Sequence, residues 1–365
     1  MSRRINIISY VITMVCMLAS LFAVVSISNR NYQDVELGLA LALLAGGAIV
    51  SGFLNTLFHE LGHYFAGKKH GFVFSTMTVW FFRWKRVKKK IKFDFVFLGE
   101  EAGYTEMIPT DVNLVGKGLK NMARGGYFTS LILAIIGAPA LFVPNLSIYV
   151  YCFWAMLFPI GIYFFLSSCL PSSSYGVRND GAVVLGLKRN DDSMKVAVSV
   201  LKIQAELYNG KTPSEIDDSL YFDLPQLPED DVNFAMLLNA RYLYYLDKED
   251  YKNAKNTTDR LLSIVEYMPK EYAFLVKTDA LYNACTFDFN ENVADDLVYE
   301  LEKYLNNVNT ATNVRAKLAY LLYVTGEKES ADIFYKKGVK EADRAQIKGL
   351  ALFEKKLFDK MKKDF

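Results

Sequence analysis

Phe53-Leu54-Asn55-Thr56-Leu57-Phe58-His59-Glu60-Leu61-Gly62-His63 closes one of four long apolar stretches, and its reading governs that of the rest of the chain. The stretches cover residues 6–27, 37–58, 124–143 and 147–169. Each is at or near the roughly 20 residues a helix needs to cross a hydrocarbon core. The chain is therefore expected to be a mainly α, polytopic membrane protein with about four spans. Residues 6–27 follow Ser2-Arg3-Arg4 like a secretory signal, but the apolar run exceeds the length of a signal core and is read as a retained span. On a helix, His59 and His63 lie one turn apart on one face. Ionisable groups at membrane depth are costly, so His59, Glu60 and His63 together call for a compensating partner.

One zinc ion is the simplest such partner. Two imidazoles at this spacing reach one metal, and Glu60 offers a carboxylate to take a proton from a water that attacks a peptide carbonyl. The motif could instead be two histidines snorkelling toward headgroups, but that leaves the intervening Glu60 unexplained. A catalytic zinc needs a third protein ligand. Arg178-Asn179-Asp180-Gly181 follows the fourth apolar stretch and opens another apolar run, Ala182–Leu187. Asp180 is the leading candidate, since a carboxylate between apolar runs is costly unless paired.

Charge places the two halves of this site on one side. The sequence carries 42 basic and 40 acidic residues, a balance that predicts no nucleic-acid partner. Eleven of the cations lie between Lys68 and Lys120, whereas 28–36 holds only Arg30 and 144–146 holds none. Positive charge marks the cytoplasmic face, so both termini are expected there in a multi-pass protein of the cell membrane. Cys16, Cys152, Cys169 and Cys285 are scattered, without a CxxC pair, and predict neither disulfides nor a zinc ribbon.

With these residues in place, the chain over roughly 37–190 resembles the site-2 protease family of intramembrane zinc metalloproteases. There, HExxH on one membrane helix is completed by an Asp-Gly pair on a later one. The resemblance implies zinc ligation by His59, His63 and Asp180, a general base in Glu60, and a supporting or substrate-binding role for Asn179. Ala102-Gly103-Tyr104-Thr105-Glu106-Met107 is similar to a Gly-Gly-Tyr stretch of that family. Gly125-Gly126-Tyr127-Phe128-Thr129 occupies the place of its Gly-Pro-x-x-Asn segment, with Thr129 where the family has Asn. Residues 72–97 alternate in part and read as a β-hairpin interrupted by Lys85-Arg86-Val87-Lys88-Lys89-Lys90. The resemblance implies a small sheet against the membrane, whose edge, sought at 72–80, pairs with an unwound substrate. The basic run itself serves the positive-inside signal and an anchor to anionic lipid, or steers substrate.

After Leu187 the composition turns polar. Residues 191–232, with Pro213, Pro225 and Pro228, read as a linker or lead-in following a membrane-embedded domain at 1–190. From 233 to 365, helices are expected at 233–246, 250–267, 271–287, 291–307, 312–325, 328–342 and 344–362, in pairs recurring every 38 to 41 residues. This resembles a degenerate tetratricopeptide-type array, a cytoplasmic α-helical repeat domain whose concave face would hold a protein or peptide ligand. The expected function is hydrolysis of a membrane-spanning or membrane-bound protein or peptide near the cytoplasmic face, in regulated intramembrane proteolysis or peptide-precursor processing. The alternative is a non-catalytic scaffold that keeps zinc for folding; an intact Glu60 favours the enzyme. A transporter fits less well, since no duplicated half is detectable.

Overall fold

The computed structural model describes residues 36–87, 90–97, 102–174 and 177–364, together with 11, 12, 14–16, 18 and 20. The status of 6–27 as a span thus lies outside the described residues. Among the described residues, three helices are long and apolar enough to cross a membrane: Gly38–Lys69, Val115–Leu141 and Ile148–Cys169. The chain divides into two units, the first ending at Asn190 and the second running from Asp191 to Phe365 and also taking in Val87–Lys90 and Ile108–Val115.

In the first unit, helix α1 spans Leu37–Lys69, 33 residues and about 50 Å. The apolar pattern stops near residue 58, but the helix does not, so the HExxH motif lies within it and not at its end. Helix α2 spans Val115–Gly137 and α3 spans Ile148–Cys169, begun by Ser147, whose side chain accepts from the Val150 amide. Membrane helices gain little from hydrophobic burial against one another, so small residues that bring backbones together carry the packing. Gly47 of α1 sits against the Cys152 carbonyl of α3, and Ser51 Oγ donates to the Phe153 carbonyl at 3.5 Å. Tyr151, Cys152 and Ala155 of α3 close this core against Ala40 and Leu44.

Between α1 and α2 lies a four-stranded sheet, not a hairpin alone. Its strands are β1 (Phe72–Val79), β2 (Phe82–Val87), β3 (Lys90–Phe95) and β4 (Gly103–Pro109), in the order β3-β2-β1-β4. β1 and β2 pair antiparallel, Thr76 opposite Lys85 and Val79 opposite Phe82, around a turn with Trp80 at φ 54°. β1 is an interior strand, paired on both sides, so residues 72–80 offer no edge to a substrate. The edges are β3 and β4. Helix α4, Asp180–Arg189, completes the unit and ends at Asn190 in the left-handed region.

The second unit is helical. Residues 191–232, expected as a linker, contain α5 (Asp192–Asn209) and the short α6 (Ser219–Phe222). Seven helices follow: α7 (Val232–Asp247), α8 (Tyr251–Leu262), α9 (Lys270–Cys285), α10 (Glu291–Asn307), α11 (Ala311–Tyr323), α12 (Lys328–Ala342) and α13 (Lys348–Met361). Asp191, Asp231, Asp250, Asn290 and Thr310 cap their helices by accepting from amides of the first turn. Pairs α7/α8, α9/α10 and α11/α12 pack together. In an open solenoid each repeat touches only its neighbours. Here α13 packs on α11 and α12 and also on the first helix, α5, with Gly349 against the Lys211 carbonyl. Phe353 and Phe358 of α13 are fully buried in the shared core.

Candidate metal centre

The helical period of α1 brings the imidazoles of His59 and His63 together edge to face, centroids 4.7 Å apart. Both turn Nε2 toward one oxygen of Asp180: Oδ2 is 3.3 Å from His59 and 3.5 Å from His63. Asp180 is the first residue of α4, and Asn179 fixes where that helix begins. The Asn179 Oδ1 accepts from the Ser172 and Ala182 amides, and its Nδ2 donates to the Ser167 and Leu170 carbonyls. All of this amide is spent tying the end of α3 to the start of α4. Asn179 therefore holds the ligand-bearing turn and has no group left for a substrate.

The opposite ring nitrogens decide what can stand between the histidines and Asp180. His63 Nδ1 lies 2.8 Å from the Met122 carbonyl, which only accepts, so Nδ1 carries the proton. His59 Nδ1 lies 3.1 Å from Ser130 Oγ, whose hydroxyl has the Gly126 carbonyl as its own acceptor at 3.5 Å. In the neutral imidazoles, Nε2 then presents a lone pair to a carboxylate oxygen that also presents lone pairs. Such a contact is repulsive unless a cation lies between. One divalent ion satisfies both nitrogens and Asp180 at once. With zinc-to-ligand bonds of about 2.0–2.2 Å, tetrahedral donors stand about 3.3–3.6 Å apart, which the two Nε2–Oδ2 separations of 3.3 and 3.5 Å match. The three ligand atoms lie within 4.8 Å of one another. His59, His63 and Asp180 therefore fit zinc, with Ser130 and the Met122 carbonyl orienting the imidazoles from behind.

Two glycines make room at this centre. A Cβ on Gly126 of α2 would stand 2.5 Å from His63 Nε2 and 2.7 Å from His59 Nε2. One turn along α1, Gly62 and Gly125 meet backbone to backbone, which brings α2 this close. Thr129 belongs to the same crossing: its hydroxyl donates to the Gly126 and Gly125 carbonyls, at 2.7 and 3.2 Å, so it turns back on its own helix. Glu60 is 4% exposed and faces Gly103 of β4, where a Cβ would collide with its carboxylate. Thr105 Oγ1 donates to the Glu60 carbonyl at 3.4 Å, holding β4 alongside the motif. Ser130, Met122, Gly126 and Gly103 escape a reading by spacing, because they meet the motif only through the crossing of α2 and β4 with α1. The signals are the Gly125-Gly126 pair, which marks a close backbone approach, and Gly103 within the Ala102–Met107 stretch.

Comparison of the chain with protein-family models, characterised proteins and solved structures returns no match. The likeness to site-2 proteases therefore rests on the residues of this centre.

Proposed function

We propose that this chain is an intramembrane zinc endopeptidase that hydrolyses a peptide bond of a membrane-spanning or membrane-bound substrate near the cytoplasmic face. The supporting observation is the convergence of Asp180, at the start of α4, on His59 and His63 of α1, a helix that also carries Glu60 and is long and apolar enough to cross a membrane. Zinc, when bound, polarises the scissile carbonyl and lowers the pKa of water. Glu60 takes the proton of the attacking water and passes it to the leaving amine. Gly103 leaves the face of Glu60 open to the strand beside it. A helical substrate hides its carbonyls in its own hydrogen bonds and must unwind before attack. β4, an outer strand in the order β3-β2-β1-β4, runs beside Glu60 and is the element that would offer replacement bonds. The clustering of cations between α1 and α2 supports cytoplasmic placement of the site, of both termini and of the second unit. The helix pairs of that unit, read as degenerate repeats, serve to choose or regulate substrates, and deleting them is expected to change substrate preference more than bond cleavage.

Glu60→Gln tests the chemistry. The variant is expected to keep its metal and lose cleavage of a candidate substrate by about 10²–10⁴-fold. Full cleavage by Glu60→Gln would contradict the assignment.

A further inference from the structure

His70, the third histidine of the chain, lies outside the metal centre. It stands two turns beyond His63, on the same side of α1, and ends that helix. Its amide donates to the Gly67 carbonyl at 2.9 Å, and Gly71, at φ 80°, turns the chain into β1. The half-buried ring is bonded through both nitrogens. Nδ1 lies 2.8 Å from the Ala66 carbonyl, which only accepts, so Nδ1 carries the proton. Nε2 then accepts, and Asn121 Nδ2 of α2 donates to it at 2.8 Å. The next residue of α2 is Met122, whose carbonyl accepts from His63 Nδ1.

Helices α1 and α2 thus meet at two separate places. At the crossing, Gly62 and Gly125 touch backbone to backbone, which sets the distance between the helices but, as a single point, leaves their angle free. At the end of α1, Asn121 reaches His70. Gly118, three residues earlier on α2, makes room for that approach: a Cβ there would stand 2.3 Å from the Phe72 ring and 3.3 Å from His70 Cβ. Gly62 and His70 lie about 12 Å apart along α1, so the second contact fixes the angle that the first leaves free. The bonds of His63 to Met122 and of His59 to Ser130 belong to the centre that must be oriented, whereas the bond of Asn121 to His70 lies outside it. A turn of α2 about the glycine crossing would carry the Met122 carbonyl away from His63, and the imidazole would lose the acceptor that holds its Nε2 toward Asp180. We propose that His70 is a positioning residue of the metal centre, acting through Asn121 to hold α2 at the angle where the Met122 carbonyl orients His63. This role rests on the reading of His59, His63 and Asp180 as zinc ligands.

Zinc retention by the full-length protein, measured by competition with a chelator, provides the test. Asn121→Ala and His70→Asn remove the bond from either end, the second keeping a donor for the Ala66 carbonyl. Each is expected to weaken zinc retention by about tenfold, and the double variant should lose no more than either alone, since both changes break one bond. His70→Gln, which keeps an acceptor where Nε2 stands, should restore retention close to the wild-type value. Cobalt(II) loaded in place of zinc gives a visible absorption band that depends on ligand geometry. That band should move in Asn121→Ala, because the His63 ring is turned, whereas a fold that merely loosens would lower occupancy and leave the band in place. Wild-type zinc retention in both Asn121→Ala and His70→Asn, beside a wild type that holds zinc, would overturn the role of His70 and leave the metal centre standing. Equal losses in His70→Gln and His70→Asn, or an unmoved cobalt band, would overturn it as well. A wild type that holds no zinc would overturn the centre itself and this role with it.

Discussion

His63 spends its Nδ1 proton on the Met122 carbonyl and His59 turns the matching nitrogen to Ser130, so both Nε2 atoms face Asp180 in the form that binds a metal. Ser130 is fully buried, and Ser130→Ala should weaken zinc retention by about 10–100-fold while leaving the fold intact, as measured by competition with a chelator. Gly126→Ala puts a methyl within 2.7 Å of both Nε2 atoms, and the same assay should show a loss at least as large. Wild-type zinc affinity in Gly126→Ala would mean that the backbone does not sit against the imidazoles. The pairing of His59 with His63 was legible because helical period alone sets it, and Asp180 because an isolated carboxylate between apolar runs needs a partner. Ser130 was not legible: it lies 71 residues from His59 and looks like any small residue of a membrane helix.

At the level of elements, the turn from α3 into α4 depends on one side chain. Asn179→Ala removes the cap of α4 and the tie to Ser167 and Leu170, a loss of about 0.5–2 kcal/mol for the cap alone. Asp180 should lose its fixed position, so the variant is expected to release zinc more readily than a cap variant such as Asn290→Ala in the second unit. The edge of β4 is tested by Tyr104→Pro and Thr105→Pro made separately. Successive amides of a strand point to opposite sides, so one proline breaks pairing with β1 and the other blocks only the outer edge. The variant that still folds should lose cleavage; full cleavage by it would exclude pairing along β4. The alternation of 72–97 reads as one hairpin broken at Lys85–Lys90, whereas the stretch folds as three strands, β1 to β3, with Lys85, Arg86 and Val87 inside β2; sheet order is a long-range property, and β4 reads as a motif before it reads as a strand. Helix α5 went unread despite a cap at Asp191, a Gly210 terminator and apolar residues at Val196, Val200, Ile203 and Leu207, because the nearby prolines suggested a lead-in.

For the whole molecule, the second unit is packed around a buried cation. Arg315 is 0% exposed, within 2.8 Å of Asp279 and 3.1 Å of Glu354, with its guanidinium over the Tyr282 ring. Burial pushes the Asp279 carboxyl from 3.8 up to about 6, against the pull of Arg315. The folded state then keeps a proton that the unfolded chain releases, so this group subtracts stability as pH rises from about 4 to about 6. Thermal melts across that window should slope downward in the wild type and flatten in Asp279→Asn; identical slopes would contradict it. The helices of this unit were legible from periodicity and caps, whereas its closure was not, since the contact of α13 with α5 joins segments more than a hundred residues apart. In the first unit, His59 and His63 of α1 and Asp180 of α4 are proposed to hold one zinc ion. Metal analysis of the purified full-length protein, wild type beside His63→Ala and Asp180→Asn, tests it most directly. One zinc per wild-type chain and marked loss in both variants are expected; a wild type without zinc, or an Asp180→Asn protein that holds it as tightly, would contradict the proposed site.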